Sequence, residues 1–386
     1  MARLDAFFKL MFDTSASDLH IVSGQPPILR VHGELERVKY DPLDDELLRQ
    51  MLYEIAPEQK IKTFEETGDV DFGYEIPNVA RFRANYFMQK NGCGAVFRQI
   101  PTKVLTADEL GLPPILKKSA MLHKGLVLVT GPTGSGKSTT LAAMIDHANK
   151  HRKDHIITIE DPIEFVHEPQ GCLINHREVG VHTRSFAAAL RGALREDPDI
   201  VLVGEMRDPE TMSVALHSAE TGHLVFSTLH TLNATETVNR IIGTFPPHQE
   251  QQIRDQLAAV IQGVLSQRLV PKLSGEGRVP AVEVMIGTAL IRDCIREPKR
   301  TPEIPAIIAQ GTSQYGMQTF DQCLLKLYRD STVSYETARE AATNPDDFDL
   351  KVRGIFSTGE LTFEGEKKKQ EEAAKPASAS PFFKRP

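Results

Sequence analysis

The chain has 386 residues, which at roughly 150 residues per domain predicts two domains with additional segments. Hydrophobic residues make up 40% of it and charged residues 25%, an ordinary globular composition that excludes collagen, a coiled coil and wholesale disorder. The 45 Lys and Arg residues against 52 Asp and Glu residues give a net charge of −7, which excludes a protein that functions through a large positive surface field. We therefore predict no direct nucleic-acid partner.

The cysteines and the amino terminus indicate a protein of the reducing cytosol. Residues 1–10 carry charged side chains and no long apolar run, unlike a secretory signal peptide. The longest apolar stretches fall far below the ~20 residues that a membrane span needs. We expect a cytoplasmic protein that reaches a membrane only through partners. None of the cysteines lies in a CxxC motif or a Cys/His cluster, so we predict buried thiols at Cys93, Cys172, Cys294 and Cys323.

Residues 1–100 are predicted to form a small α+β domain, because short β-rich runs and one helical pattern alternate there. The predicted elements are strands at 19–22, 28–31, 81–88 and 94–98 and a helix at 45–55. Proline and glycine then cluster, which predicts a linker at 101–116. We expect this linker to act as a hinge between two domains.

Residues 117–290 are predicted to form an α/β core. Continuous Ile, Val and Leu strands that alternate with helices are typical of a parallel sheet covered on both faces. The predicted strands are 126–130, 156–160, 200–203 and 224–228, and the predicted helices are 137–150, 185–196, 209–220 and 234–242. Beyond residue 247 the pattern predicts mostly helix to about 355, with a helical C-terminal region at 291–360 and a flexible tail at 361–386.

Residues 131–139 match the pattern G-x-x-x-x-G-K-[ST] between a predicted strand and a predicted helix. Glycines let such a loop turn its backbone N–H groups toward phosphate oxygens, and the helix start adds positive potential. Lys137 is expected to reach the β- and γ-phosphates, and Ser138 to ligate Mg²⁺. The predicted phosphate-binding residues are Gly131, Pro132, Thr133, Gly134, Ser135, Gly136, Lys137, Ser138 and Thr139.

Acidic residues follow two of the predicted strands. Glu205 follows the apolar strand 200–203, while Glu160 and Glu164 flank the turn at Asp161 and Pro162. Ligands of open parallel sheets bind at the carboxyl ends of strands, so these acids are expected beside the phosphate loop. Phosphoryl transfer needs a group that holds the metal and one that orients water, and these acids supply both.

A third strand, 224–228, ends in Thr228 and is followed closely by His230, and both are candidates to sense the γ-phosphate. In the first domain, Arg81 and Arg83 alternate with Phe82 on a predicted strand. These arginines are either a solvated strand face or arginine fingers, which stabilise charge on the γ-phosphate and are sometimes supplied in trans.

The chain resembles the secretion-superfamily (GspE/PulE-like) ATPases, and within them the type IV pilus retraction ATPases of the PilT/PilU group. The resemblance covers nearly the whole chain. Besides the phosphate loop, its segments are ASDLH at 16–20, RFR at 81–83, IEDPIEF at 159–165, ALREDPD at 193–199, GEMRD at 204–208, AETGHL at 219–224 and SQRLVPK at 266–272.

This resemblance implies a PAS-like N-terminal domain, a RecA-like P-loop ATPase domain and a homohexameric ring with ATP at subunit interfaces. It implies that Glu164, in an aspartate box, is the general base and that Glu205 is the Walker B acid, placed to act on Mg²⁺ and water. The sequence does not place the attacking water, so the reverse assignment of Glu164 and Glu205 stays open. His223 and His230 match a histidine box. Arg81 and Arg83 match interface arginines from the N-terminal domain.

The function implied is a cytoplasmic motor ATPase that drives pilus disassembly and retraction, and hence twitching motility. Its expected partners are an inner-membrane pilus platform protein and a paralogous retraction ATPase. Alternatives are an accessory nucleotide-binding ring subunit, a secretion or pilus assembly ATPase, and a DNA-translocating motor, which the acidic balance disfavours. One segment departs from the group's retraction motif, because LIRDCIRE at 290–297 begins with Leu290 in place of alanine. A larger side chain at a helix contact is expected to alter packing.

Overall fold

The computed structural model describes residues 2–14, 16–31, 33–77, 80–100 and 104–355. These residues form two β-sheets with helices packed on them, which confirms the predicted α/β class. The predicted tail at 361–386 and the first residues of the predicted linker, 101–103, lie outside the described residues. The domain bounds therefore stay predictions.

The first sheet contains β1 (Asp18–Val22), β2 (Ile28–Val31), β3 (Glu34–Arg37), β4 (Asp69–Ile76), β5 (Ala80–Gln89) and β6 (Gly92–Ile100). Its strands are antiparallel in the order β3-β2-β1-β6-β5-β4. Three helices contribute apolar side chains to its core: α1 (Asp5–Asp13), α2 (Asp45–Tyr53) and α3 (Glu58–Thr67). The elements β3, β4, α1 and α3 were not predicted from the sequence.

Strand β5 alternates as predicted. Phe82 and Ala84 are fully buried, and the Phe82 ring stacks on Phe8 at a centroid distance of 4.5 Å. Arg81 and Arg83 are half-buried on the opposite face. Because the apolar face anchors the strand in the core, the arginines are held at defined places on its other side.

The second sheet contains β7 (Gly125–Thr130), β8 (His155–Glu160), β9 (Leu173–Glu178), β10 (Ile200–Val203), β11 (Leu224–Leu229), β12 (Ile261–Pro271) and β13 (Arg278–Ile286). Its order is β13-β12-β7-β11-β10-β8-β9, and every neighbouring pair is parallel except the antiparallel pair β12 and β13. The predicted parallel core is thus confirmed, with an antiparallel edge.

Helices cover both faces of this sheet. Leu126 and Leu128 of β7 lie in one apolar core, whereas Val127 and Val129 lie in the other. The helices are α4 (Ile115–Ala120), α5 (Lys137–His151), α6 (Phe186–Ala193), α7 (Pro209–Glu220), α8 (Ala234–Gly243), α9 (Glu250–Val260), α10 (Ala289–Arg296), α11 (Ile304–Gln310), α12 (Thr312–Tyr315), α13 (Phe320–Arg329), α14 (Tyr335–Ala341) and α15 (Pro345–Val352).

Three details of the sequence-based prediction are wrong. The region after residue 247 is mostly helical as predicted, but the prediction missed β12 and β13, which occupy most of residues 261–286. Helix α9 ends at Val260 and β12 begins at Ile261 with no glycine or proline between them, so the sequence carries no local break signal there. Helix α6 ends at Ala193, earlier than predicted. Leu290 is an exposed residue of α10, so its size does not alter packing within the described chain.

Within the described residues, no helix is both long enough and apolar enough to span a membrane. The four cysteines are buried free thiols, as predicted.

Candidate functional site

A cavity of about 610 Å³ lies between the first sheet and the carboxyl ends of the second sheet's parallel strands. The second sheet contributes the loop after β7, the acids after β8 and β10, and the polar end of β11. The first sheet contributes residues of β5 and β6. Thus the residues predicted from three separate strands do converge on one site.

The phosphate loop turns through three glycines with positive φ. Gly131, Gly134 and Gly136 have φ of 145°, 77° and 87°, a region that favours glycine. At Gly131 a Cβ would lie 2.3 Å from the backbone oxygen of Gln267, so no side chain fits there. Helix α5 begins immediately after Gly136. A glycine-rich loop with this backbone conformation, followed directly by a helix start, is typical of phosphate-binding sites.

Lys137 is held inside this loop. Its Nζ donates hydrogen bonds to the carbonyl oxygens of Gly131, at 2.9 Å, and Pro132, at 3.1 Å. Burial lowers the pKa of Lys137, while the carboxylates of Glu205 and Glu164 oppose that effect. Those acids therefore favour the charged ammonium that a phosphate would bind.

The side chain of Glu205 emerges after β10 between two nitrogen partners. Arg207 Nη2 lies 2.7 Å from one carboxylate oxygen, and His230 Nε2 lies 3.3 Å from the other. Burial alone would raise the pKa of Glu205, but Arg207 and His230 lower it below its ordinary value. Glu205 is thus an ionised carboxylate, the form that binds a cation.

Glu160, at the end of β8, is buried, and its position is fixed by hydrogen bonds. One carboxylate oxygen accepts the backbone N–H of Glu164 at 3.1 Å, and the Thr158 hydroxyl also bonds to it. Thr158 in turn lies 2.8 Å from His176 Nδ1. Burial raises the pKa of Glu160 from 4.5 to about 7, because these hydrogen bonds offset the loss of solvation only in part.

The raised pKa of Glu160 predicts a pH-dependent stability. Folded Glu160 keeps its proton up to about pH 7, whereas the unfolded residue loses it near 4.5. The protonated carboxyl therefore stabilises the folded state fully below pH 4.5, and this stabilisation is lost as the pH rises through 7. Between these two pH values the free energy of unfolding falls by up to about 1.4 kcal/mol per pH unit.

Urea denaturation of the wild type and of Glu160→Gln between about pH 5 and pH 8 measures this effect, because all other groups titrate in both proteins. We expect the wild type to lose stability relative to the variant as the pH rises. A difference that stays constant over this range would contradict the assignment.

Arg81 and Arg83 occupy different positions. Arg81 Nη2 donates to Glu178 Oε2 at 2.9 Å, and that same oxygen accepts the backbone N–H of Ile163 at 3.2 Å. Arg81 therefore braces the loop that carries Glu164 and does not line the cavity. Arg83 does line the cavity of its own chain, with Asp71 3.6 Å from its Nε.

Most of the predicted site residues line the cavity. They are Arg83, Thr133, Gly134, Gly136, Lys137, Ser138, Thr139, Glu160, Glu164, Glu205 and His230. Of the predicted loop residues, Gly131, Pro132 and Ser135 do not line the cavity. Thr228 also lines the cavity, but its hydroxyl donates to the Gly204 carbonyl oxygen at 2.7 Å.

Several cavity residues received no role from the sequence. Arg98 and Arg278 line the cavity, as does Arg207 beside Glu205. Arg207 lies two residues after Glu205 in the segment GEMRD at 204–208. Its place beside Glu205 could therefore have been predicted from the sequence. Arg278 lies on β13, a strand that the sequence analysis did not predict.

The donor set fits Mg²⁺. Ser138 offers a half-buried hydroxyl at the start of α5, and Glu205 offers an ionised carboxylate across the cavity. Hard cations of this kind take oxygen ligands and commonly keep waters and substrate phosphates in their shell. The hydroxyl and carboxylate oxygens present therefore suit a magnesium ion that arrives with a nucleotide.

A family model described as "Type II/IV secretion system protein" matches residues 3–341. The type IV pilus retraction ATPase PilT of Pseudomonas aeruginosa is 52% identical over 333 residues, which cover 86% of this chain and 96% of that protein. A twitching motility protein of Neisseria gonorrhoeae is 48% identical over 318 residues, 82% of this chain and 84% of that protein.

The fold of the chain is also similar to that of a solved structure. A crystal structure of the pilus retraction motor PilT with bound ADP is similar with a TM-score of 0.82 and 44% sequence identity. The similarity covers 90% of this chain and 98% of that one.

Proposed function

Because the chain belongs to the type II/IV secretion system protein family, we propose that it is a motor ATPase that couples ATP hydrolysis to type IV pilus disassembly and retraction. The observation that carries this is that Lys137, Glu164 and Glu205 line one shared cavity. The retraction ATPase and the twitching motility protein to which the chain is similar support the choice of pilus retraction.

The residues of the cavity divide the chemistry between them. The loop N–H groups and Lys137 bind the phosphates of ATP, because the loop presents donors and a cation to them. Ser138 and Glu205 would hold Mg²⁺, which neutralises charge on the phosphates when it is bound. Glu164 is the general base that accepts a proton from the attacking water. His230 stays near the γ-phosphate through its contact with Glu205.

Glu164 suits the role of base better than Glu205 does. Arg207 and His230 lower the pKa of Glu205, which makes that carboxylate a weaker base but does not stop it from binding a cation. Glu164 lines the same cavity, and its backbone is tied to Glu160, which fixes the loop without occupying the Glu164 carboxylate. A general base needs a carboxylate that is free to accept a proton.

We propose that Arg83 acts on ATP bound to its own chain and not on ATP bound to a neighbouring subunit. It lines that chain's cavity together with Arg98, both from the first sheet, and a cation there stabilises charge that develops on the γ-phosphate. Arg81 positions the Glu164 loop through Glu178. We also propose that the protein forms a homohexameric ring in the cytoplasm at the inner membrane. Its proposed partners are an inner-membrane platform protein and a paralogous retraction ATPase.

A mixed-ring experiment tests the position of Arg83. Arg83→Ala subunits are mixed with Lys137→Ala subunits, and the ATPase rate of the mixture is compared with the rates of the separate variants. If Arg83 serves its own chain, every subunit lacks one part and the mixture stays inactive. Recovery of ATPase activity on mixing would show instead that the arginine reaches a neighbouring subunit.

The proposed activity is tested by steady-state ATP hydrolysis of the purified protein in the presence of Mg²⁺. We expect turnover that depends on Mg²⁺ and is lost in the Glu164→Gln variant. A purified protein that binds ATP but never hydrolyses it would favour the accessory ring subunit.

A further inference from the structure

A buried glutamine of β12 contacts both the phosphate loop and the helix that follows it. Gln267 is only 3% exposed. Its Nε2 donates to the Ser135 carbonyl oxygen at 2.7 Å, and its Oε1 accepts the Thr140 hydroxyl at 2.7 Å. Its backbone oxygen closes the space beside the Gly131 Cα. One residue therefore touches the start of the loop, its last turn and the first turn of helix α5.

The bond to Ser135 controls the direction of a peptide group. A trans peptide is planar, so the carbonyl of one residue and the N–H of the next point to opposite sides. Gln267 holds the Ser135 carbonyl away from the cavity, which directs the Gly136 N–H to the other side. Because Gly136 has a φ of 87° and lacks a Cβ, the local backbone has little preference that would hold this peptide without an outside partner.

We propose that Gln267 is a positioning residue for ATP binding, which orients the Ser135–Gly136 peptide for the phosphates and ties it to helix α5 through Thr140. The inference rests on the proposed function in that it takes ATP as the ligand. Gln267 touches no substrate itself and acts through the loop backbone. Without its amide, the buried Ser135 carbonyl loses its partner, and a rotated peptide would present an oxygen to the phosphates in place of a donor.

The test compares Gln267→Met with Gln262→Met. Gln262 lies on the same strand, but its side chain packs beside Gly125 at the far end of β7, so it is a matched control. We expect Gln267→Met to raise the Kd for ATP and for ADP by about tenfold to a hundredfold, the cost of a buried carbonyl left unpaired. The kcat at saturating ATP should change much less than KM. Gln262→Met should keep the wild-type Kd.

Thr140 provides a second test that keeps the loop carbonyl's partner in place. Thr140→Val removes the hydroxyl and should weaken ATP binding, whereas Thr140→Ser keeps the hydroxyl and should restore it. Thermal melting without nucleotide monitors folding. Wild-type Kd values in folded Gln267→Met and Thr140→Val would overturn the inference. A wild-type protein that fails to bind ATP would overturn the proposed function instead.

Discussion

The Lys137→Ala variant is expected to lose ATP hydrolysis, with kcat/KM reduced by at least about a hundredfold. Lys137 Nζ is the cation held inside the loop, and it is ready to exchange the carbonyls of Gly131 and Pro132 for phosphate oxygens. Alanine removes this charge and leaves the loop's N–H groups as the remaining donors. Steady-state ATPase assays and nucleotide binding both measure the loss.

Lys150→Ala is the matched control for this variant. Lys150 is on the same helix, α5, and pairs with Asp146 at 2.7 Å away from the cavity. We expect Lys150→Ala to hydrolyse ATP like the wild type. If Lys137→Ala hydrolysed ATP at the wild-type rate, the assignment of the site would be wrong.

Glu205→Gln and Glu164→Gln are expected to fail in different ways. Glutamine keeps the shape of Glu205 but loses the anionic ligand, so the variant should need a higher Mg²⁺ concentration and should turn over about a hundredfold to a thousandfold more slowly. Glu164→Gln should keep the wild-type Mg²⁺ requirement and lose kcat, because it removes only the base. A Mg²⁺ titration of the ATPase rate measures both.

Glu210→Gln is the control for the two acid variants, since Glu210 pairs with Arg191 at the surface and lies outside the cavity. If the two acid variants exchanged their behaviour, with Glu164→Gln needing more Mg²⁺, their roles would be reversed.

The phosphate loop was predictable because its information is local. Nine consecutive residues carry the glycines, the lysine and the helix start, and each acts within a few residues of its own position. The strands that end at Glu160, Glu205 and Thr228 were predictable for a related reason: continuous apolar runs are typical of buried parallel strands. Because the carboxyl ends of parallel strands lie at the same edge of a sheet, the residues that follow these strands were expected at one site.

The supports of the site were not predictable because they join distant segments. Gln267 lies 132 residues from Ser135, and Arg81 lies 97 residues from Glu178. Both contacts depend on where β12 and β9 sit in the sheet. Strand β9 is a polar edge strand, and β12 follows a helix without a break signal, so neither strand had a clear pattern. The sequence placed Arg81 and Arg83 on one strand face but did not separate their roles.

Pilus retraction in living cells tests the central claim most directly. A strain in which this gene is deleted is complemented with the wild-type gene or with the Glu205→Gln variant, and retraction of labelled pili is followed by microscopy. We expect the wild-type gene to restore retraction and Glu205→Gln not to restore it, although both proteins are present at equal levels. Retraction with the variant at the wild-type rate, or no retraction with a wild-type protein that hydrolyses ATP, would contradict the claim.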